Sequence, residues 1–203
     1  MLKPEEVRGS LPSETEIKEH GVSYYALADE YYYDEDGVYH YERMFDKPMD
    51  EGGKPFNGVA FETYDDSDQI GFFIEYKDGY QFGNHAGFYE NGALSFYTRM
   101  DEKEYYTYEW YENGVLKKMT ERDIARGKTC GRSREYEWYE TGVLKKKTER
   151  YQKRGQTCCC RRMEYDETGV LKKRSEWNRK KGQTGCRCRE YDGNGKPIRE
   201  SLD

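Results

Sequence analysis

Asn91-Gly92, Asn113-Gly114, Thr141-Gly142, Thr168-Gly169 and Asn194-Gly195 recur along the chain, their glycines 22, 28, 27 and 26 residues apart. Each pair closes an aromatic and acidic run, and most open a basic one. Three copies are nearly identical: residues 110–118 read WYENGVLKK, 138–146 read WYETGVLKK and 165–173 read YDETGVLKK. A fixed period of this size means one supersecondary unit used repeatedly and stacked on its neighbours. Within a period, Glu-Tyr-Glu-Trp-Tyr (135–139) leads into the turn and Val143-Leu144-Lys145-Lys146-Lys147 leads away. A second turn follows near Arg154-Gly155, and a Thr/Cys/Arg stretch returns. Turn signals about every 13 residues predict an antiparallel meander.

The repeats predict an all-β chain, an elongated antiparallel meander of stacked β-hairpins. Tyr and Trp are expected to form ladders across its strands. Helix competes for VLKKKTERYQKR, since Lys, Glu and Arg favour it. The flanking glycines, short length and β-branched or aromatic neighbours favour strand. Upstream, Asp36-Gly37, Asn57-Gly58, Asp78-Gly79 and Asn91-Gly92 fit two-residue hairpins with positive φ at both central positions. A polar turn at 65–69 separates two aromatic strands. Residues 1–23 fall outside the array, and residues 24–203 form it. Ser13 followed by Glu16 fits a capping box for a short helix over 14–20, and a solvated tail fits the same residues.

Composition supports a thin structure. Only 34% of the 203 residues are hydrophobic, and 21 are Tyr, whose ring is buried while its hydroxyl stays wet. The 36% charged content leans toward disorder, but the aromatics and regular turns argue against it. No run approaches the ~18–20 apolar residues of a membrane helix, and the first residues lack a secretory apolar stretch, so a cytoplasmic address is expected. Residues 1–102 carry 8 Lys/Arg against 23 Asp/Glu, a balance of −15; residues 103–203 carry 26 against 17, a balance of +9. The array thus divides into acidic, divergent repeats (24–102) and basic, regular ones (103–203).

Taken together, Asp34-Glu35-Asp36-Gly37-Val38-Tyr39, Lys54-Pro55-Phe56-Asn57-Gly58-Val59-Ala60-Phe61, Phe88-Tyr89-Glu90-Asn91-Gly92-Ala93-Leu94 and the WYENGVLKK copies resemble the MORN-variant repeat. More narrowly, they resemble the bacterial MORN-variant antitoxin or immunity proteins encoded beside polymorphic toxins. The resemblance covers roughly residues 34–199. The second half of the later repeats departs from it, as at Arg126-Gly127-Lys128-Thr129-Cys130-Gly131. The resemblance implies a protein-binding array with no catalytic residues to carry over.

Motifs for chemistry are weak. His20, His40 and His85 share no metal-ligand spacing, and no nucleophile motif marks a serine. Cys130, Cys158, Cys159, Cys160, Cys186 and Cys188 recur with the repeat and are expected to stack on adjacent strand pairs. They lack paired zinc spacing, so half-buried thiols are favoured over a metal or redox patch. Gly127-Lys128-Thr129 matches only the end of a phosphate loop, and its sister copies lack the Lys. Asp34-Glu35-Asp36 and Asp65-Asp66-Ser67-Asp68 lack the regular oxygen-ligand spacing of an EF-hand. No cofactor, metal or small-molecule substrate is expected, and the chain is not expected to be an enzyme.

The leading expectation is an immunity protein that covers the active site of a cognate toxin, a basic nucleic-acid-targeting effector being one such partner. Asp34, Glu35, Asp36, Asp65, Asp66 and Asp68 would supply charge and steer association. Tyr31, Tyr32, Tyr33 and Phe61 would supply aromatic anchors. The alternative is a generic repeat scaffold that touches protein, anionic lipid or nucleic acid through the basic half. Nucleic acid is the weaker choice, because Glu alternates with Lys and Arg there.

Overall fold

The computed structural model describes residues 3–33, 39–100, 104–123, 130–153, 156–180, 183–192 and 194–202. The chain is mostly β, built of antiparallel meanders preceded by a short helical segment. It divides into two compact units, Leu2–Asp101 and Glu102–Asp203.

In the first unit, Pro4 opens a 3-10 turn (Pro4–Glu6) that runs into α1 (Val7–Ser10); α2 (Glu14–His20) follows. The capping box starts α2. Ser13 Oγ accepts from Glu16 N at 3.2 Å, and Glu16 Oε2 accepts from Ser13 N at 2.8 Å. Two orphan donors are thereby satisfied where the helix begins. Val7 and Ile17 are the apolar residues these helices bury.

Strands β1 (Val22–Ser23), β2 (Ala28–Tyr33) and β3 (Tyr39–Phe45) come next, then β4 (Gly58–Thr63), β5 (Ile70–Lys77), β6 (Tyr80–Phe88) and β7 (Leu94–Met100). β4 to β7 pair in sequence order, β1 adds a parallel edge to β4, and β2 pairs with β3 in a separate hairpin. The row Phe61–Phe73–Ala86–Tyr97 crosses β4 to β7 in register, and the last three residues are fully buried. Met44 and Phe45 of β3 are buried too, with Met44 N donating to Gly79 O.

The second unit is a plain meander of β8 (Glu104–Trp110), β9 (Leu116–Asp123), β10 (Cys130–Trp138), β11 (Leu144–Lys153), β12 (Gln156–Tyr165), β13 (Leu171–Lys180), β14 (Gln183–Tyr191) and β15 (Pro197–Leu202). Among its described side chains only Tyr106, Tyr108, Trp110 and Thr148 are buried.

Turn geometry corrects one expectation. Of the upstream dipeptides within the described residues, only Asp78-Gly79 has two positive φ values, 53° and 78°. At Asn91-Gly92 and its later sisters the glycine alone is left-handed, at φ 77° to 84° for Gly92, Gly114, Gly142 and Gly169. Each closes a longer loop in which, for example, Gly114 N donates to Tyr111 O and Tyr111 N to Val115 O. The ladder slips at every such hairpin, where Trp110 faces Leu116, Trp138 faces Leu144 and Tyr165 faces Leu171. The extra residue at the slip is Lys117, Lys145 or Lys172, three positions past the left-handed glycine, a β-bulge in the strand that leaves the turn. Asn57-Gly58 is not a hairpin turn: the Asn57 side chain accepts from Asp78 N at 2.8 Å, and Gly58 begins β4. Asp36-Gly37, Arg154-Gly155 and 126–129 lie outside the described residues.

Candidate interaction surface

In the first unit α1, α2 and the strand ends enclose an open groove of about 630 Å³. Leu11, Pro12, Ile17, Ile70 and Phe88 make its apolar lining; Glu14, Glu16 and Asp68 bring three carboxylates to it, and Arg8 and Lys18 bring two cations. Its walls are tied by side chains reaching backbone carbonyls far away in sequence. Arg8 Nη1 donates to Gly92 O at 2.9 Å, Gln69 Nε2 to Tyr89 O at 2.8 Å, and Tyr64 Oη to Phe88 O at 2.5 Å. The turn at 65–69 and the turn at Asn91-Gly92 are therefore fixed to each other, and α1 to the second of them. Lys18 is paired with Glu14 at 2.9 Å, one turn away on α2. The backbone N–H of Ser13, then its hydroxyl, hold the Glu16 carboxyl below the usual range, so it stays ionised near neutral pH.

The residues singled out in the sequence fall in different places. Asp65, Asp66 and Asp68 are exposed in the turn after β4, and Asp68 lines the groove. Phe61 is half-buried in the core row; a Cβ on Gly21 would lie 2.8 Å from its ring, so the ring packs directly beneath the chain at Gly21. Tyr31, Tyr32 and Tyr33 belong to β2, with Tyr32 opposite His40 and Tyr33 opposite Tyr39. Asp34, Glu35 and Asp36 lie outside the described residues. The structure thus joins Asp68 to Glu14 and Glu16, which sequence reasoning missed. The capping box marked the helix, but nothing local says that it faces residues 68–92.

In the second unit the register lays charges out in rows. Glu109–Lys118–Glu137–Lys146–Glu164–Lys173–Glu190–Arg199 runs straight across all eight strands, alternating in sign. Glu121–Arg134–Glu149–Arg161–Glu176 alternates likewise. Odd spacing within each strand puts the two rows on opposite faces. Lys146 Nζ lies 2.6 Å from Glu137, and Arg161 Nε 2.8 Å from Glu176. Burial pushes the Glu137 carboxyl up, but Lys146, with Lys118 and Lys145, outweighs it and holds the group low. The hydrogen bond from Arg174 does the same for Glu176 against burial, with Arg161 adding to it.

Among the described residues of the second unit, ring contacts run along strands rather than across them. Tyr106 meets Tyr108 at 5.5 Å, Tyr108 meets Trp110 at 5.8 Å, and Tyr136 stacks on Trp138 at 5.9 Å. Aromatic strands alternate with basic ones, so Tyr136 faces Met119 and Lys147, and Lys147 Nζ sits 5.5 Å above its ring. Adjacent hairpins are stapled at the turn: Tyr111 Oη donates to Trp138 O at 2.9 Å and Tyr139 Oη to Tyr165 O at 3.0 Å. Where the third copy has Asp166, the carboxylate instead accepts from Thr168 N and Val170 N and pairs with Lys172 at 3.0 Å.

The cysteines do not form one stack. In backbone register Cys160 and Cys186 both face Trp177 from opposite sides, Cys188 faces Ser175, and Cys130 faces Lys153. The half period returns with variable loop lengths, which shifts the row on which each cysteine lands. Among the described residues no group of three His, Cys, Asp or Glu is placed to hold a metal ion, and no helix is long and apolar enough to cross a membrane. Searches of protein-family models and of curated proteins found no match to the sequence.

Proposed function

We propose that this protein is an immunity protein, an antitoxin of MORN-variant type, that acts in the cytoplasm by binding a cognate toxin domain and covering its active site without catalysis of its own. The observation that supports this reading best is the groove of the acidic half. Its apolar lining can seat a partner's side chains. Its carboxylates, within a region of balance −15, favour a basic partner of the kind that acts on nucleic acid. The turn carrying Asp65, Asp66 and Asp68 is exposed yet braced by Tyr64 and Gln69, so little ordering cost attends binding.

The alternative of a generic scaffold for protein, anionic lipid or nucleic acid rests on the basic half. There the register sets glutamates beside Lys118, Arg134, Lys146, Arg161 and Lys173, so part of the charge that phosphates would meet is already paired within the sheet. Co-expression with a toxin domain found encoded beside the gene tests the proposal. Co-purification at equal stoichiometry and loss of toxicity are expected, with affinity falling on joint replacement of Asp65, Asp66 and Asp68 by Lys. A protein that neither co-purifies with that domain nor protects against it is not its antitoxin.

A further inference from the structure

The face of the first sheet opposite the Phe61–Tyr97 row carries a second aromatic arrangement. The row Glu62–Phe72–Gly87–Phe96 crosses β4 to β7 in register. Gly87 is required there: a Cβ would lie 2.2 Å from the Phe96 ring, which lies across the space a side chain would fill. His85 meets Phe96 edge-on at 4.7 Å and Phe72 at 6.5 Å. Tyr24, in a 3-10 turn (Tyr24–Ala26), sets its ring against Phe72 at 5.5 Å and 74°. Tyr25 meets Tyr24 at 5.7 Å and 81°. Phe72, His85 and Phe96 are half-buried, and Tyr25 is 80% exposed.

The exposed ring stands on a fixed backbone. Glu62 Oε1 accepts from Tyr25 N at 3.1 Å and from Ser23 Oγ at 2.5 Å. A large apolar side chain left in water while its main chain is anchored loses little freedom on binding, which is the property of an interface anchor. The carboxylate held beside it defines the charge of what binds. A planar guanidinium stacks on an aromatic face and pairs with a carboxylate at once, which an ammonium does less well. Phosphates are repelled by the acidic half, so a nucleic-acid strand does not suit these rings. Burial pushes the His85 imidazole down to about 4, so the platform holds no cation of its own near neutral pH.

We infer that Tyr25, Tyr24 and Glu62 form a docking point for an arginine side chain on a segment of a partner protein. This rests on the protein-binding reading above and adds the group that is recognised, at a place distinct from the groove.

A fluorescein-labelled peptide alternating arginine and leucine, titrated with the full chain at low salt and followed by anisotropy, tests the assignment. The peptide is expected to bind, and its glutamate-for-arginine counterpart is not. Tyr25→Ala should weaken binding about fivefold or more, while Tyr25→Phe retains it. Glu62→Gln should weaken it and flatten its salt dependence; Asp68→Lys, in the groove, should leave both trends in place. Circular dichroism checks that each variant is folded. Absence of binding, equal binding of the glutamate peptide, or wild-type affinity in both Tyr25→Ala and Glu62→Gln overturns the inference. Peptide binding that survives while the toxin fails to co-purify removes the antitoxin reading alone; the reverse pattern removes this docking point alone.

Discussion

Residues 2–101 and 102–203 build hairpins from similar text but hold them together differently. In the first unit, one face of the sheet buries Phe73, Ala86 and Tyr97, and a helical segment adds Val7 and Ile17. Beyond β8, the only buried residue among the described side chains of the second unit is Thr148. Charge rows, ring–cation contacts and hydroxyl staples join its strands instead. Hydrophobic burial is concentrated, so deleting one side chain costs several kcal/mol. Cross-strand pairs contribute about 0.2–1 kcal/mol each, so the second unit depends on their number rather than on any one. A core can be irregular; a structure without one must repeat.

The largest effect expected from a single change is in the first unit. Phe73→Ala should cost about 3–5 kcal/mol, read as a shift of the denaturant midpoint in the signals of residues 2–101. A loss under 1 kcal/mol would mean that this unit, too, is held by its pairs. Next is a pH effect. The folded state lowers His85 from 6.5 to about 4, so the unfolded chain binds the extra proton between those values. The associated stability is present above about pH 6.5 and is lost as pH falls toward 4, on the order of 3 kcal/mol. His85→Phe should remove that slope. In the second unit the depressed groups are carboxyls, Glu137, Glu149, Asp166, Glu176 and Asp192, so its loss should begin only as pH falls through the ordinary carboxylate range and continue below it. Site-resolved hydrogen exchange against pH separates the two responses.

A smaller effect belongs to the turns. Gly142 sits at φ 84°, where a Cβ is penalised, and Gly142→Ala should destabilise the second unit by about 1–2 kcal/mol. Thermal melts would show this. Smallest of all is Glu137→Gln, which removes a half-exposed partner of Lys146. It should cost under about 1 kcal/mol at low salt and less at high salt. A loss several times larger would show that the charge row acts cooperatively, which would sharpen the contrast between the units considerably.

Much of the meander was readable because its signals are local. A left-handed glycine, the aromatic residue before the loop and the leucine after it lie within seven residues, and each copy repeats the message. The charge rows were readable in kind, since Glu-rich and Lys-rich strands alternate in the text. Their straightness was not, because it depends on a slip of one residue at every hairpin. Unequal spacing in the other half of the period defeated a single cysteine stack, and in the second unit the alternation of aromatic with basic strands defeated the expected ring ladders. Asp68 was picked out as part of an exposed acidic turn, which it is. Tyr25 carries no signal of its own in the text, because nothing local says that its ring is left in water.

Periodicity by itself determined the strand order, the hairpin positions and the alternation of charge in residues 104–202, since each unit needs only its neighbour to form. For α2, a capping box complete within four residues marked where a helix could begin, and the structure decided between helix and solvated tail. Only the tertiary structure decided that α2 faces the turns at 65–69 and 91–92, that Phe61 packs inward beneath Gly21, and that Glu62 holds the backbone of Tyr25. Those contacts join residues 20 to 84 positions apart, where no local propensity operates and the geometry of the assembled sheet makes the choice.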